Sequence, residues 1–187
     1  MKYGTIEGIV GCMYAGKTEE MFRRARRAEI AGQEVLVLKP RIDDRYEPEL
    51  ACSHAGGRRT AELVGIEMSD IDAIIGRGLR SSAHVLCVEE LQFFPSGIVA
   101  ACKQWQIAGK RIIWTGLDMD STGTPFGPVP HMMAISAVVK LTAVCARCGE
   151  DATHTFRRRE VTSTDQVVVG GVETYEARCF GCWMHGC

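Results

Sequence analysis

The sequence predicts an α/β fold in which a parallel sheet flanked by helices is followed by a small metal-binding domain. Three observations support this prediction: a glycine-rich loop between a strand and a helix, an alternation of apolar strands with helices, and two Cys-x-x-Cys pairs near the end. The chain has 187 residues, enough for one full core and an appendage. We predict a nucleotide-binding core over residues 1–144 and a metal-binding domain over residues 145–187.

Composition narrows the classes of partner. Lys and Arg number 22 against 23 Asp and Glu, so the formal net charge is −1. A net charge so close to zero gives no overall electrostatic attraction to nucleic acid or to an anionic membrane. No apolar run approaches the ~20 residues of a membrane span, and none of signal-peptide length precedes the glycine-rich loop. We therefore expect a cytoplasmic protein without nucleic-acid or membrane partners.

The first predicted elements are a strand over Thr5–Val10 and the loop after it, which has the P-loop spacing G-x-x-x-x-G-K-T. The loop consists of Gly11, Cys12, Met13, Tyr14, Ala15, Gly16, Lys17 and Thr18. Backbone amides must converge on a triphosphate, and glycines remove the Cβ atoms that would block their approach. Lys17 would reach the β- and γ-phosphates, and the Thr18 hydroxyl would bind Mg²⁺. The loop therefore predicts a nucleoside triphosphate site.

A repeating pattern of helix and strand follows the loop. We predict a helix over Thr18–Ala31, a buried strand over Glu34–Lys39 and a long loop from Lys39 to about Thr60. A short helix then runs over Ser69–Ile75, with Ser69 as its cap. Loops of this length in compact domains are usually functional, so we place the long one beside the nucleotide site.

The next predicted strand, Val85–Glu90, ends in two carboxylates, those of Glu89 and Glu90. In a parallel sheet the ligand lies outside the carboxyl ends of the strands, where the P-loop holds the phosphates. One carboxylate can contribute to the Mg²⁺ site, while the other accepts the proton of an attacking hydroxyl. An ordinary charged strand end is the alternative interpretation.

The core is completed by further elements of the same alternation. We predict a helix over Ser96–Ala108, a strand over Arg111–Leu117, a helix over His131–Ser136 and a strand over Val138–Val144. The segment Asp118–Pro130 is rich in glycine and proline, and it reads as a second loop at the same sheet edge. Such a loop could close over a substrate.

The end of the chain carries a metal-site pattern. Two thiol pairs, Cys145 with Cys148 and Cys179 with Cys182, can each hold one side of a tetrahedral Zn²⁺. The site would be structural, since four protein ligands leave no position for water. His185 is an alternative fourth ligand to Cys182, and two disulfides are the alternative to metal.

The residues between the thiol pairs predict a hairpin. Its strands would come from Thr153–Arg159 and Gln166–Val169, and Gly170-Gly171 would form a bend. The other cysteines, Cys12, Cys52, Cys87 and Cys102, are scattered, and we interpret each as a small buried residue or a bystander.

These motifs in this order resemble those of thymidine kinases of the type that carries a zinc-binding lasso domain. The resemblance covers nearly the whole sequence. The matching stretches are Gly11–Glu20, Lys39–Tyr46, Glu89–Phe94, Gly116–Asp118, Val139–Cys148 and Val169–Cys182. The fold that it implies is a P-loop NTPase core with a small C-terminal zinc ribbon, or lasso domain.

The resemblance implies transfer of the ATP γ-phosphoryl group to the 5′-hydroxyl of thymidine, and less strictly of deoxyuridine, in nucleotide salvage. Glu90 then corresponds to the general base, and Thr18 and Glu89 to the Mg²⁺ site. The implied substrate-binding residues are Phe93, Leu117, Thr155, Val169, Gly170, Gly171 and Tyr175. The resemblance further implies a homotetramer and feedback inhibition by thymidine triphosphate (dTTP).

One position departs from the family pattern, and two other hypotheses remain. The family usually has Asp where this chain has Glu89, which lengthens the carboxylate arm. A nucleotide-sensing regulator without catalysis would be consistent with that change. A P-loop ATPase whose zinc ribbon binds nucleic acid is the other alternative; Arg157, Arg158 and Arg159 favour it, and the near-zero net charge opposes it.

Overall fold

The computed structural model describes residues 2–41, 50–52, 58–158, 160, 161, 163 and 165–186, with only the backbone of residues 50–52. Most of Lys39–Tyr46 and of the predicted long loop, together with Arg159 and Cys187, lies outside the described residues. None of the helices within the described ranges is both long and apolar enough to cross a membrane.

Helices and strands alternate through the core. The strands are β1 Ile6–Val10, β2 Val35–Pro40, β3 Leu50–Cys52, β4 Arg58–Thr60, β5 Glu62–Val64, β6 Val85–Val88, β7 Arg111–Gly116, β8 Ala137–Lys140, β9 Ala143–Val144, β10 Asp151–Ala152, β11 His154–Arg157 and β12 Tyr175–Arg178. The helices are α1 Lys17–Ile30, α2 Ile71–Arg80, α3 Ile98–Ile107, α4 Val129–Ala134 and α5 Phe180–His185. Two 3-10 helices cover Met68–Asp70 and Leu91–Phe93.

The central sheet has six strands in the order β5-β2-β6-β7-β1-β8, and all of its pairings are parallel. The register places Val10 beside both Gly116 and Lys140 at one edge of the sheet. The carboxyl ends of the three strands therefore meet there, and the segments that follow them share one surface. The predicted parallel sheet is confirmed.

Apolar clusters cover both faces of this sheet. One joins the sheet to α2, α3 and α4 and contains the fully buried Trp105 and Trp114; the other joins it to α1. Helix α2 runs past its predicted end at Ile75 and ends at Arg80. Gly78 allows α3 to approach it closely, since a Cβ at Gly78 would lie 2.3 Å from the Trp105 Nε1. The predicted Ser69 cap is wrong, since Glu67 and Asp70 make the reciprocal capping contacts.

Three features of the core strands differ from prediction. Strands β3 and β4 pair antiparallel within the segment that was predicted as a long loop. Strand β5 extends the sheet beyond β2, where no strand was predicted. The predicted strand Val138–Val144 is divided: β8 pairs with β1, whereas β9 pairs antiparallel with β10. The chain leaves the core sheet between these two short strands and enters the C-terminal region.

The C-terminal hairpin has another partner than expected. Strand β11 pairs antiparallel with β12, and Gln166–Val169 forms no strand. The predicted pairing of Thr153–Arg159 with Gln166–Val169 is therefore wrong. Because β12 leads directly into Cys179, the observed pairing brings the second thiol pair back to the first.

Candidate active site

The P-loop lies between β1 and α1 in the conformation that its glycines permit. Gly11 has φ of 146° and Gly16 has φ of 79°, values that side chains disfavour. A Cβ at Gly11 would also lie 2.4 Å from the Leu141 carbonyl oxygen. Since α1 begins at Lys17, the loop leads into a helix N-terminus whose amides and dipole favour an anion.

Two polar side chains of the loop are already ordered. The Lys17 ammonium is buried and donates to the Cys12 carbonyl 2.8 Å away. The Thr18 hydroxyl donates to Glu89 Oε1 at 2.9 Å. The loop and the end of β6 are therefore joined through oxygen atoms of the kind that Mg²⁺ prefers.

The two predicted carboxylates take different environments. Glu89 is buried, whereas Glu90 is half-buried and has left-handed backbone angles of φ 51° and ψ 49°. A non-glycine residue in this region stores strain, which the surrounding structure must offset. The Glu90 amide donates to the buried Thr115 hydroxyl at 3.3 Å, which anchors the turn to β7.

A cleft of about 990 Å³, counting the space open to solvent, lies above these residues. The predicted site residues that line it are Met13, Tyr14, Gly16, Lys17, Thr18, Glu89, Glu90, Phe93, Leu117, Thr155, Val169, Gly170 and Tyr175. Four predicted residues do not line it: Gly11, Cys12, Ala15 and Gly171.

The four residues outside the lining have other positions. Cys12 and Ala15 pack against the C-terminal region in a small apolar cluster. Gly11 starts the loop beside Leu141. Gly171 lies in a turn, where its amide donates to the Glu173 carboxylate and its carbonyl accepts from the Tyr175 amide.

One wall of the cleft is apolar. Met13, Leu117, Phe126 and Tyr175 form a buried cluster, and Phe93 packs against it. The Phe93 and Phe126 rings meet edge to face with centroids 5.9 Å apart. This wall can accept a flat ring. Phe126 was missed, although it stands in the glycine- and proline-rich loop expected to cover the substrate.

A hydrogen bond between the side chains of Asp120 and Gln166 joins two loops across the cleft. The Gln166 side-chain amide donates to Asp120 Oδ2 at 2.8 Å. Burial alone raises the pKa of Asp120, but hydrogen bonds from Thr122, Gln166 and Thr124 outweigh burial and leave the pKa lowered. Asp120 therefore stays ionised as the anchor. Neither residue was predicted, because their contact joins distant segments without a local sequence pattern.

The P-loop also touches the C-terminal region directly. The Met13 amide donates to Thr155 Oγ1 at 3.0 Å, and the Cys12 thiol donates to the Ala152 carbonyl at 3.3 Å. The Tyr14 hydroxyl donates to the Tyr175 carbonyl at 3.2 Å. The resemblance implies that Thr155 contacts the substrate; in the structure its hydroxyl holds the P-loop.

The predicted metal ligands come together at the C-terminal end of β12. The sulfur atoms of Cys145, Cys148, Cys179 and Cys182 all lie within 4.8 Å of one another. His185 is not part of this group, so the alternative fourth ligand is not supported. The seven cysteines whose side chains the structure describes form no disulfide. Four converging thiols have the composition and spacing of a structural zinc site.

The remaining described cysteines are chemically inert. Cys87 and Cys102 are fully buried, and burial raises the pKa of each thiol to about 12. Burial also raises the pKa of Cys12. The predicted burial of Cys12, Cys87 and Cys102 is therefore confirmed, and the side chain of Cys52 lies outside the described residues.

A buried charge network supports the metal-binding turn. The fully buried Arg178 donates to Glu176 Oε1 at 2.7 Å and to the Cys182 carbonyl at 3.0 Å. Arg147 and Arg158 also pair with Glu176. Burial raises the pKa of Glu176, but the three arginines, Arg178 first, outweigh it and leave the pKa lowered. The network connects β12 to the ligand Cys182.

Known proteins share this sequence over almost its full length. The family model described as thymidine kinase matches residues 4–183. Thymidine kinases from two strains of Halobacterium salinarum are each 42% identical over 184 residues, which cover 96% of this chain and 93% of theirs. A solved structure titled as a DNA replication initiation factor overlaps 74% of this chain and 40% of its own, with 14% identity and a TM-score of 0.45.

Proposed function

The chain belongs to the thymidine kinase family, and from this membership we propose that it transfers the γ-phosphoryl group of ATP to the 5′-hydroxyl of thymidine. Thymidine monophosphate would be the product, and deoxyuridine a weaker acceptor. The observation that carries the proposal is that one cleft joins the P-loop, the two carboxylates after β6 and the aromatic wall of Phe93. Donor and acceptor subsites are thus continuous.

On the donor side, the P-loop amides and Lys17 would hold the phosphates. Lys17 would exchange its Cys12 carbonyl for a phosphate oxygen and offset charge in the transition state. Mg²⁺ bound with ATP would supply positive charge to the phosphate oxygens. Thr18 and Glu89 fit that ion, since their oxygens lie 2.9 Å apart at the cleft. The longer arm of Glu89 still reaches the hydroxyl.

On the acceptor side, Glu90 would take the proton of the 5′-hydroxyl. Its carboxylate is half-buried in the cleft and follows the same strand as the Mg²⁺-site residue Glu89. The strained turn at Glu90 directs two consecutive carboxylates to separate tasks. General-base catalysis of this kind contributes ~10²–10⁴-fold to rate.

The nucleoside base would lie against the apolar wall. Phe93 and Phe126 offer ring contacts, and Leu117, Tyr175 and the segment at Val169–Gly170 close the space around them. Backbone groups of that segment would recognise the imide edge of thymine. Cytosine would then leave buried groups unpaired, at a cost of about 1–3 kcal/mol for each group.

We propose that the four-thiol cluster holds one structural Zn²⁺, which fixes the hairpin that closes the cleft. The homotetramer, the cytoplasmic location and inhibition by thymidine triphosphate (dTTP) belong to the same proposal. A continuous cleft supports inhibition, because one molecule can occupy the base wall while its phosphates reach the P-loop.

The described arginines oppose the nucleic-acid alternative. Arg157 donates to the carbonyls of Ser163, Asp165 and Gln166, and Arg158 binds the Val172 carbonyl and Glu176. These guanidinium groups are engaged within their own chain. Phosphate contacts would have to displace them.

The decisive experiment incubates the purified protein with Mg·ATP and each natural deoxynucleoside, and separates the products. We expect thymidine monophosphate as the main product and stoichiometric ADP. ADP without any phosphorylated nucleoside would point to an ATPase, and no turnover at all would support the regulator hypothesis.

The role of Glu90 has its own test. Glu90→Gln keeps the size of the side chain and removes its basicity, so kcat should fall ~10²–10⁴-fold while ATP binding is retained. The exposed Glu34→Gln is the matched control. Unchanged turnover in Glu90→Gln would place the base elsewhere.

A further inference from the structure

Gln92 is a buried amide that connects the proposed base to the nucleoside wall. It is the middle residue of the 3-10 helix Leu91–Phe93 and only 4% exposed. Its side-chain nitrogen donates to Glu90 Oε2 at 2.5 Å. Its side-chain oxygen accepts from the Leu117 amide at 3.0 Å. One planar group therefore spans the end of β6 and the end of β7.

The two partners also fix which way the amide points. A carboxylate can only accept, and a backbone N–H can only donate, so the nitrogen must face Glu90 and the oxygen must face Leu117. Rotation of the amide by 180° would lose both hydrogen bonds. Its orientation is thus determined by chemistry.

Glycines leave the space that this arrangement needs. A Cβ at Gly127 would lie 2.4 Å from the Gln92 carbonyl oxygen, and one at Gly116 would lie 3.2 Å from its side-chain oxygen. The loop after β7 and the strand end itself thus pack directly on Gln92. The close packing restricts its side chain to one position.

We propose that Gln92 is a positioning residue, which holds the Glu90 carboxylate at a fixed place relative to the nucleoside wall at Leu117. The inference rests on the proposed role of Glu90 as base. A hydrogen bond from an amide limits the rotation of the carboxylate that accepts it. Proton transfer requires the acceptor oxygen at hydrogen-bond distance from the substrate hydroxyl, so a loose carboxylate would lower kcat.

Two variants separate the two hydrogen bonds. Gln92→Met has similar length and makes neither bond. Gln92→Glu retains an acceptor for the Leu117 amide but sets a second carboxylate against Glu90, where the pair would repel or share a proton. Gln104→Met, at an exposed position of α3, is the matched control. Thermal unfolding of each variant verifies that it is folded.

Steady-state kinetics should separate the effect of the Gln92–Glu90 hydrogen bond from that of the Gln92–Leu117 hydrogen bond. For Gln92→Met we expect kcat to fall about 10- to 100-fold, as for a lost hydrogen bond to a charged group, and the KM for thymidine to rise severalfold. For Gln92→Glu we expect a similar loss of kcat with the KM for thymidine within twofold of the parent. The KM for ATP should stay within twofold in both variants.

The possible outcomes test the positioning role of Gln92 and the base role of Glu90 separately. If Glu90→Gln loses activity while both folded Gln92 variants keep kcat within twofold, the positioning role is overturned and the base remains. If Glu90→Gln keeps its activity, the base assignment and the inference fall together. A loss in Gln104→Met equal to that in Gln92→Met would also overturn the inference, since the effect would not depend on the site.

Discussion

The core and the C-terminal region form the same cleft but are held together by different forces. The core buries large apolar side chains on the two faces of a sheet, such as Trp105 and Trp114 on one face and Met21 on the other. In the C-terminal region the buried side chains include Glu176 and Arg178, and the apolar ones are mostly small. Hydrophobic burial stabilises the first, whereas paired charges and the proposed Zn²⁺ at the four thiols would stabilise the second.

This difference predicts that each region fails under a different perturbation. Loss of metal should open the C-terminal region and leave the sheet folded. A cavity in the sheet should lower the stability of the whole molecule, because both regions pack around the P-loop.

The largest effect should follow removal of a metal ligand. Apparent zinc-binding free energies are about 10–16 kcal/mol, so Cys179→Ser should open the hairpin that closes the cleft. We expect kcat/KM to fall sharply, with zinc content near zero and the helical circular dichroism signal largely kept. The control Cys102→Ala removes a core thiol and should retain the zinc. Complete unfolding of Cys179→Ser would contradict independent stabilisation.

A cavity in the core is the complementary test. Leu86 is fully buried in β6, and Leu86→Ala should lower the free energy of unfolding by about 3–4 kcal/mol. Chemical denaturation measures this change. Leu79→Ala, at a 42% exposed position of α2, should cost far less. Zinc content of the folded Leu86→Ala protein should equal that of the parent, and zinc loss before unfolding would argue against two separate supports.

Substitution of Glu176 tests how far its ion pairs stabilise the C-terminal region. Glu176→Gln removes the shared partner of three arginines and leaves the Arg178 charge buried, at a cost of about 3 kcal/mol. Zinc release to a chelator should accelerate, and hydrogen exchange should increase in β11 and β12 but not in the central sheet. Glu160→Gln, at an exposed position, is the control. Equal exchange in both regions would show that the network supports the whole fold.

A smaller, pH-dependent effect is expected at Glu7, which pairs with Arg24 and Arg111. Burial raises its pKa, but Arg111 and then Arg24 outweigh burial and leave the pKa lowered. The ionised form is therefore favoured in the folded state. This stability is complete above the unfolded pKa of about 4.3 and is lost as the pH falls through the lower folded pKa.

Glu7→Gln should reduce the free energy of unfolding by about 1–2 kcal/mol at neutral pH. The difference from the parent should shrink as the solution is acidified, because the parent loses the same contribution. Denaturation curves at several pH values measure it, with the exposed Glu34→Gln as control. A difference that stays constant with pH would show that the ion pairs are not its source.

Sequence patterns predicted what local geometry determines. The P-loop spacing and the apolar strand before Glu89 predicted that the loop and the carboxylates share one sheet edge, and Thr18 is hydrogen-bonded to Glu89 there. The spacing of the four cysteines predicted that their thiols come together in one cluster. Strand β5 was missed because three residues carry too little periodicity. The β11–β12 pairing and the roles of Gln92 and Gln166 depend on long-range contacts that no local pattern encodes.

The contacts between the P-loop and the C-terminal region join residues that are synthesised at very different times. Met13, Cys12 and Tyr14 leave the ribosome early, yet their partners Thr155, Ala152 and Tyr175 follow only after the entire sheet has been made. The nascent chain can therefore form its phosphate loop without being able to brace it. A translation product that stops before β12 would carry the complete glycine motif and still lack a finished enzyme.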